Sequence, residues 1–222
     1  MNVAHDLILF DLDGTLSDPL VGIGRSINYA LGHFGYPPRE LNKLASFIGP
    51  PIDEAFKTLT GVTSKSQIEA FVARYRERYG DIGYSENTIY PGVAETLASL
   101  EKNGIPLCIC TSKRTDFAEQ ILEMFGLRSY FRFVNGGDIR IQKWQQIEGL
   151  LSQGIVSKSS VMVGDRAVDL HAAHRNGLHA AGVLWGYGSY EELSRELPRY
   201  LFSTPTEFSK LTGISDNRTK AE

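Results

Sequence analysis

Seven residues stand out for their types and positions: Asp11, Asp13, Thr111, Ser112, Lys143, Asp165 and Asp169. Asp11 follows the apolar run Leu7-Ile8-Leu9-Phe10, with Asp13 two residues on. Thr111 and Ser112 follow the apolar stretch 105–110, and Asp165 follows Val161-Met162-Val163-Gly164. Each group sits where a buried strand would give way to a polar loop. In open α/β sheets ligands bind outside the carboxyl ends of the strands, so these residues are expected at one edge. Four carboxylates gathered there would raise one another's pKa. A hard divalent cation relieves that repulsion, and an all-oxygen donor set selects Mg²⁺ over softer metals. Lys143 trails its strand by several residues, and Lys158 and Arg140 are rival cations.

The elements that must position these groups alternate. Strands are expected at 7–10, 105–110, 131–135, 160–163 and 179–185. Helices are expected at 93–103, 116–125, 143–151 and 169–176. Strand–helix alternation of this kind gives an α/β doubly wound parallel sheet, covered on both faces. Between the first and second strands the texture is helical. Leu20, Ile23, Ile27, Ala30, Leu31 and Phe34 recur at three- and four-residue steps and form one apolar stripe. Asp18 before Pro19 reads as a helix start, with the aspartate as N-cap and the proline at the first helical position. Gly35 and Pro37-Pro38 end that helix. Pro50-Pro51 with Asp53 and Glu54 starts another, and 64–79 makes a third. An all-helical domain inserted after the first strand explains this better than two domains in series. The expected division is a core of residues 1–16 plus 88–222 and an inserted helical domain of 17–87.

Composition agrees with a soluble globular chain. The 222 residues are 42% hydrophobic and 22% charged, and the formal net charge is −3, so no basic excess points to nucleic acid or anionic membrane. No apolar stretch approaches the ~20 residues of a membrane span. The N-terminus lacks a basic leader, and the expectation is a cytoplasmic protein. Cys108 and Cys110 share one face of a strand and read as small buried thiols. Neither they nor the five histidines form a zinc signature; His171 and His174 read as solvent-facing helix residues. The polar end, 215–222, reads as frayed.

Taken together, Asp11-Leu12-Asp13-Gly14-Thr15-Leu16, Thr111-Ser112, Lys143 and Gly164-Asp165-Arg166-Ala167-Val168-Asp169 resemble, in order, the four motifs of the haloacid dehalogenase superfamily. The resemblance spans the first strand to about Leu193. It implies that Asp11 is a nucleophile forming an aspartyl-phosphate and also a Mg²⁺ ligand. Asp13 would be the general acid and base, its backbone carbonyl a further ligand. Gly14 permits the tight turn beside the phosphate. Thr111, Ser112 and Lys143 would bind phosphate, with Lys143 also stabilising the transition state. Asp165 would complete the metal shell. Asp169 would ligate directly or through water, or orient Lys143, or simply cap its helix; Thr111 and Ser112 are also N-cap residue types.

Asp13 argues against the dehalogenase branch. The insertion, Phe47-Ile48-Gly49-Pro50-Pro51 within it, Gly164-Asp165-Arg166 and Trp185-Gly186-Tyr187-Gly188 are similar to phosphoglycolate phosphatase-like and 5′-nucleotidase-like members with a small helical cap. The function implied is Mg²⁺-dependent hydrolysis of a small phosphate ester. Phosphoglycolate is the leading substrate and a nucleoside 5′-monophosphate the next. A phosphosugar mutase and a non-catalytic phosphate-binding regulator are the alternatives. Neither nucleic acid nor membrane is an expected partner, and monomer and homodimer stay open.

Overall fold

The computed structural model describes residues 5–212, so the frayed end expected at 215–222 and most of the N-terminal segment lie outside the described residues. Six parallel strands form one sheet in the order β5-β4-β1-β6-β7-β8. These are β1 (Ile8–Phe10), β4 (Leu107–Thr111), β5 (Phe131–Gly136), β6 (Val161–Gly164), β7 (His179–Val183) and β8 (Tyr200–Phe202). The strand order reverses at β1, which lies between β4 and β6 in the middle of the sheet. Phe10 lies opposite Ile109 on one side and Val163 on the other.

Side chains alternate across a strand, and the sheet uses both sides. Ile8, Phe10, Ile109 and Val163 face α5 (Val93–Lys102) and α6 (Thr115–Met124), meeting Leu97 and Ile121. Leu9, Cys108, Cys110 and Met162 face α7 (Lys143–Ser152) and α8 (Ala167–Arg175), meeting Ile147 and Leu170. Both cysteines are buried free thiols, as their strand spacing predicts, and His171 and His174 are exposed.

Between β1 and β4 the chain forms α1 (Leu20–His33), α2 (Leu41–Leu44), α3 (Ile52–Thr60) and α4 (Lys65–Asp81). These helices share a core of their own, with Ile27, Leu31, Phe56, Phe71 and Val72 at its centre. The apolar stripe of α1 holds except at its end, where Phe34 is 39% exposed and packs its ring on Phe71. The helix begins one residue later than expected, at Leu20. Asp18 still accepts the Leu20 N–H at 3.0 Å, but its backbone belongs to β2 (Ser17–Asp18), which pairs antiparallel with β3 (Thr88–Ile89).

Three further differences bear on the elements around the sheet. β4 starts at Leu107 because Pro106 has no N–H to donate. The helix after β6 starts at Ala167, which places Asp169 in its first turn rather than at its opening. β8, and α9 (Tyr190–Arg195) before it, lie beyond the last expected strand. Tyr200–Phe202 is too short a run to show periodicity, yet it closes the sheet beside β7.

At the opposite end of the sheet from the aspartates, His5 is buried. Its Nδ1 lies 3.0 Å from the Ser159 carbonyl, its ring meets His179 edge-on, and Tyr200 packs beside it. Burial lowers its pKa below 6.5, aided by His179 and Arg199 and opposed by the Ser159 carbonyl and Asp6. His5 is therefore neutral in the folded chain over a range where the unfolded chain takes up a proton. Its contribution is complete above about pH 6.5 and is lost as pH falls from there toward the folded value. On going from pH 7.5 to 5.5 we expect the parent to lose urea midpoint relative to His5→Gln. Equal slopes for the two proteins would refute this.

Candidate active site

The site grows out of the carboxyl edge of β1, β4 and β6. Asp11 extends β1 by one residue, its N–H donating to the Val163 carbonyl at 2.9 Å. The chain then turns back on itself, with the Leu16 and Ser17 N–H groups both on the Leu12 carbonyl. Gly14 is required in this turn. Its φ is +85°, and a Cβ there would lie 2.2 Å from Asp165 Oδ2. The turn is thus packed directly onto the aspartate at the end of β6.

Asp165 is held from two sides. Its Oδ1 accepts from the Thr15 hydroxyl at 3.3 Å and its Oδ2 from the Tyr187 N–H at 2.8 Å. Trp185 fixes the same turn through its indole N–H on the Thr15 carbonyl. Lys143 opens α7 and is fully buried, its Nζ 3.0 Å from Asp11 Oδ1 and hydrogen-bonded to Asp169 Oδ1. Asp169 Oδ2 accepts the Arg166 N–H at 3.0 Å, so Asp169 both caps its helix and holds the lysine. The rival cations are elsewhere: Lys158 is exposed and Arg140 pairs with Glu69.

Carboxylate oxygens of Asp11, Asp165 and Asp169 lie within 4.8 Å of one another. Asp13 stands apart from that group, its Oδ2 2.8 Å from Lys113. Thr111 and Ser112 line the same cleft as Asp11 and Asp13. Neither caps a helix, since α6 begins at Thr115 with Arg114 at the cap position. The sheet edge thus brings together all the residues expected to do chemistry.

Lys113 was not among them. Its ammonium joins Asp13 to the Tyr79 hydroxyl, at 2.7 Å, and lies over the Tyr79 ring. Its place directly after Thr111-Ser112 was a signal, but its partner on α4 is 34 residues away. Tyr75 and Tyr79, spaced as core residues of α4, also line the cleft. The far wall is the 47–51 loop of the helical segment.

The electrostatics favour a cation. Burial pushes Asp13 above its ordinary value against the pull of Lys113. Burial, reinforced by Asp169 and Asp11, holds Asp165 well above the carboxylate range. Burial raises Asp169 to about 6 despite the adjacent Lys143. For Lys143, burial favours the neutral amine, but Asp11 and Asp169 outweigh it and raise its pKa. Two ammoniums, Lys143 and Lys113, do not satisfy all of these carboxylates. Asp13 Oδ1 is buried without a hydrogen bond, and Asp11 Oδ1 faces Lys143 out of line for one. A hard divalent cation fits this all-oxygen set.

Residues 8–183 match the haloacid dehalogenase-like hydrolase family. A 5′-nucleotidase from Pseudomonas aeruginosa is 39% identical over 197 residues, covering 87% of this chain and 89% of that protein. A phosphoglycolate phosphatase from Chromobacterium violaceum is 33% identical over 211 residues, covering 89% and 93%. The crystal structure of a predicted phosphatase from Clostridium acetobutylicum matches with a TM-score of 0.87 at 34% identity, covering 93% of this chain and 97% of that one. With the buried aspartate cluster at the family's expected sheet edge, these likenesses make the chain a member of the haloacid dehalogenase-like hydrolase family, and a phosphatase within it.

Proposed function

We propose that this phosphatase is a Mg²⁺-dependent phosphomonoesterase working through an aspartyl-phosphate on Asp11. The observation that carries the reading is the buried cluster of Asp11, Asp165 and Asp169, with Lys143 between Asp11 and Asp169, and with Asp11 lining a cleft beside Asp13, Thr111 and Ser112. Asp11, Asp165 and the Asp13 carbonyl would hold the metal, which when bound neutralises phosphate charge so that one anion can approach another. Asp169, already shared between Lys143 and the Arg166 N–H, would act by orienting Lys143.

The residues then divide the work. A carboxylate oxygen of Asp11 would bond to phosphorus as the ester P–O bond breaks. Asp13 would give its proton to the departing oxygen, then take one from the water that hydrolyses the phosphoryl group. Thr111 and Ser112 would donate to phosphoryl oxygens, and Lys143 would stabilise the charge that develops. Residues 17–87 would serve as a lid over the core of 1–16 and 88–222, hinged at the β2–β3 ribbon and excluding water when closed.

The cleft favours a nucleoside 5′-monophosphate over phosphoglycolate. Phosphoglycolate's carboxylate, its second anionic group, would need a spare cation, yet Lys113, Arg76 and Arg114 are each paired, with Asp13, Asp138 and Asp116. The rings of Phe47, Tyr75, Tyr79 and Phe117 instead line the cleft, and such surfaces suit a planar base. The test is phosphate release from nucleoside monophosphates, phosphoglycolate and hexose phosphates, in Mg²⁺ and in EDTA. Nucleotides should rank first and EDTA should silence all. A protein inactive across the panel, or indifferent to EDTA, would end the proposal.

A further inference from the structure

The loop that roofs the cleft is tied to the sheet edge by one side chain. After α2 the chain makes a short turn at Ala45–Phe47, passes Ile48 and Gly49, and enters α3 through Pro50 and Pro51. Phe47, Gly49, Pro50 and Pro51 face Asp11 and Asp13 across the cleft. The Ile48 side chain is buried in the helical core, but its carbonyl accepts from Arg166 Nη1 at 2.5 Å, and the Ser46 carbonyl lies 3.4 Å from the same nitrogen. Arg166 immediately follows Asp165.

The guanidinium is aimed rather than loose. Its Nε donates to Glu192 Oε1 at 2.9 Å, and that same oxygen accepts the Ala167 N–H at 2.8 Å. Glu192 therefore fixes the start of α8 and the direction of the arginine together. Arginine's planar fork suits such a two-sided task, with separate nitrogens for each partner, where a lysine would have to reach both from one atom. The loop is shaped to receive it. Gly49 has φ +105°, and a Cβ there would lie 2.9 Å from Arg166 Cγ. Among the described residues, the other side-chain ties between residues 17–87 and the core attach α4 (Arg76 to Asp138, Glu69 to Arg140, Tyr79 to Lys113) or β2 (Asp18 to Tyr187) and not this loop.

We propose that Arg166 is a positioning residue that latches the 46–49 loop over the cleft, with Glu192 and Gly49 as its supports. The latch rests on the reading of residues 17–87 as a lid, and it ties the roof to the residue next to Asp165. Arg166 touches none of the reacting groups. Its role is to hold the wall against which the organic part of the substrate packs.

Arg166→Met tests this, because it keeps the aliphatic stem beside Gly49 and removes the donors. On the preferred ester, KM should rise about ten- to a hundredfold, the size of one charge-assisted hydrogen bond, while kcat changes by less than about threefold. The Mg²⁺ concentration for half-maximal rate should stay put, since Asp165 keeps its own partners. Amide exchange at 45–49 should quicken, and Arg166→Lys should fall between the two proteins on both measures. Unchanged exchange at 45–49 in Arg166→Met overturns the latch, whatever happens to activity. So does a loss confined to kcat with a shifted Mg²⁺ requirement, which would place Arg166 with the metal-side residues. If the parent protein hydrolyses nothing, the proposed function fails while the exchange comparison still decides the latch.

Discussion

Asp11→Asn will fold, and will release phosphate at least roughly 10³-fold more slowly than the parent. The amide has the shape of the carboxylate and can still face Lys143, but it has neither the charge nor the nucleophilicity to attack phosphorus. It also withdraws one of the three carboxylates that lie within 4.8 Å of one another. On the proposed function, Mg²⁺ binding to the folded state should raise the parent's melting temperature by mass action, and this variant should lose most of that increment. In EDTA, by contrast, the two proteins should melt within a few degrees of each other, because removing a like charge from a crowded pocket offsets the weakened lysine pairing. Phosphate release within tenfold of the parent would remove Asp11 from the chemistry.

Lys143→Met will be the most destabilising single change at the site. Lys143 is buried between Asp11 and Asp169, and methionine fills a similar volume without the charge. Removing one partner of a buried ion pair leaves uncompensated charge and costs about 3–5 kcal/mol. Measured by urea unfolding in EDTA, the loss should be of that order. Mg²⁺ should restore part of it, since a cation can again face Asp11. Activity should not return with it, because the ammonium is also proposed to stabilise the phosphoryl transition state, worth roughly 10²–10³ in rate. Unchanged stability in EDTA would mean that the carboxylates do not depend on this lysine. Stability and rate recovering together in Mg²⁺ would mean that Lys143 serves structure alone.

The parts of this molecule that are legible in its sequence are those whose meaning is local. Leu7 to Phe10, leading into Asp11, announces both a buried strand and the polar turn after it, and the same holds where β4 ends at Thr111 and β6 gives way to Asp165. The helical stripe from Ile23 to Leu31 is equally plain. What escapes is set by distance along the chain or by brevity. β2 and β3 are two residues each and exist only because they pair. β8 is three residues that gain their identity from β7. Lys113 sits beside an evident motif, but its task depends on Asp13 and Tyr79, neither of them a sequence neighbour. Arg166 lies inside a recognised motif, yet its side chain turns to a carbonyl 118 residues away. Asp169 is a case between the two. Its several readings were all chemically sound, and only the placement of Lys143 shows that one carboxylate serves the helix and the lysine at once.

The small ribbon of β2 and β3 has a bearing on how such a chain can change. Ser17 lies opposite Ile89 and Asp18 opposite Thr88, and paired strands run roughly 5 Å apart. The chain leaves the sheet region and re-enters it at almost the same point. A segment with its ends so close imposes no span on what lies between them. The entropy of closing it grows slowly, with each doubling of length costing only about 0.6 kcal/mol. The intervening stretch can therefore lengthen, shorten or be rebuilt over generations with little consequence for the strand that ends in Asp11. What the protein accepts can drift while the end that breaks the bond stays as it is.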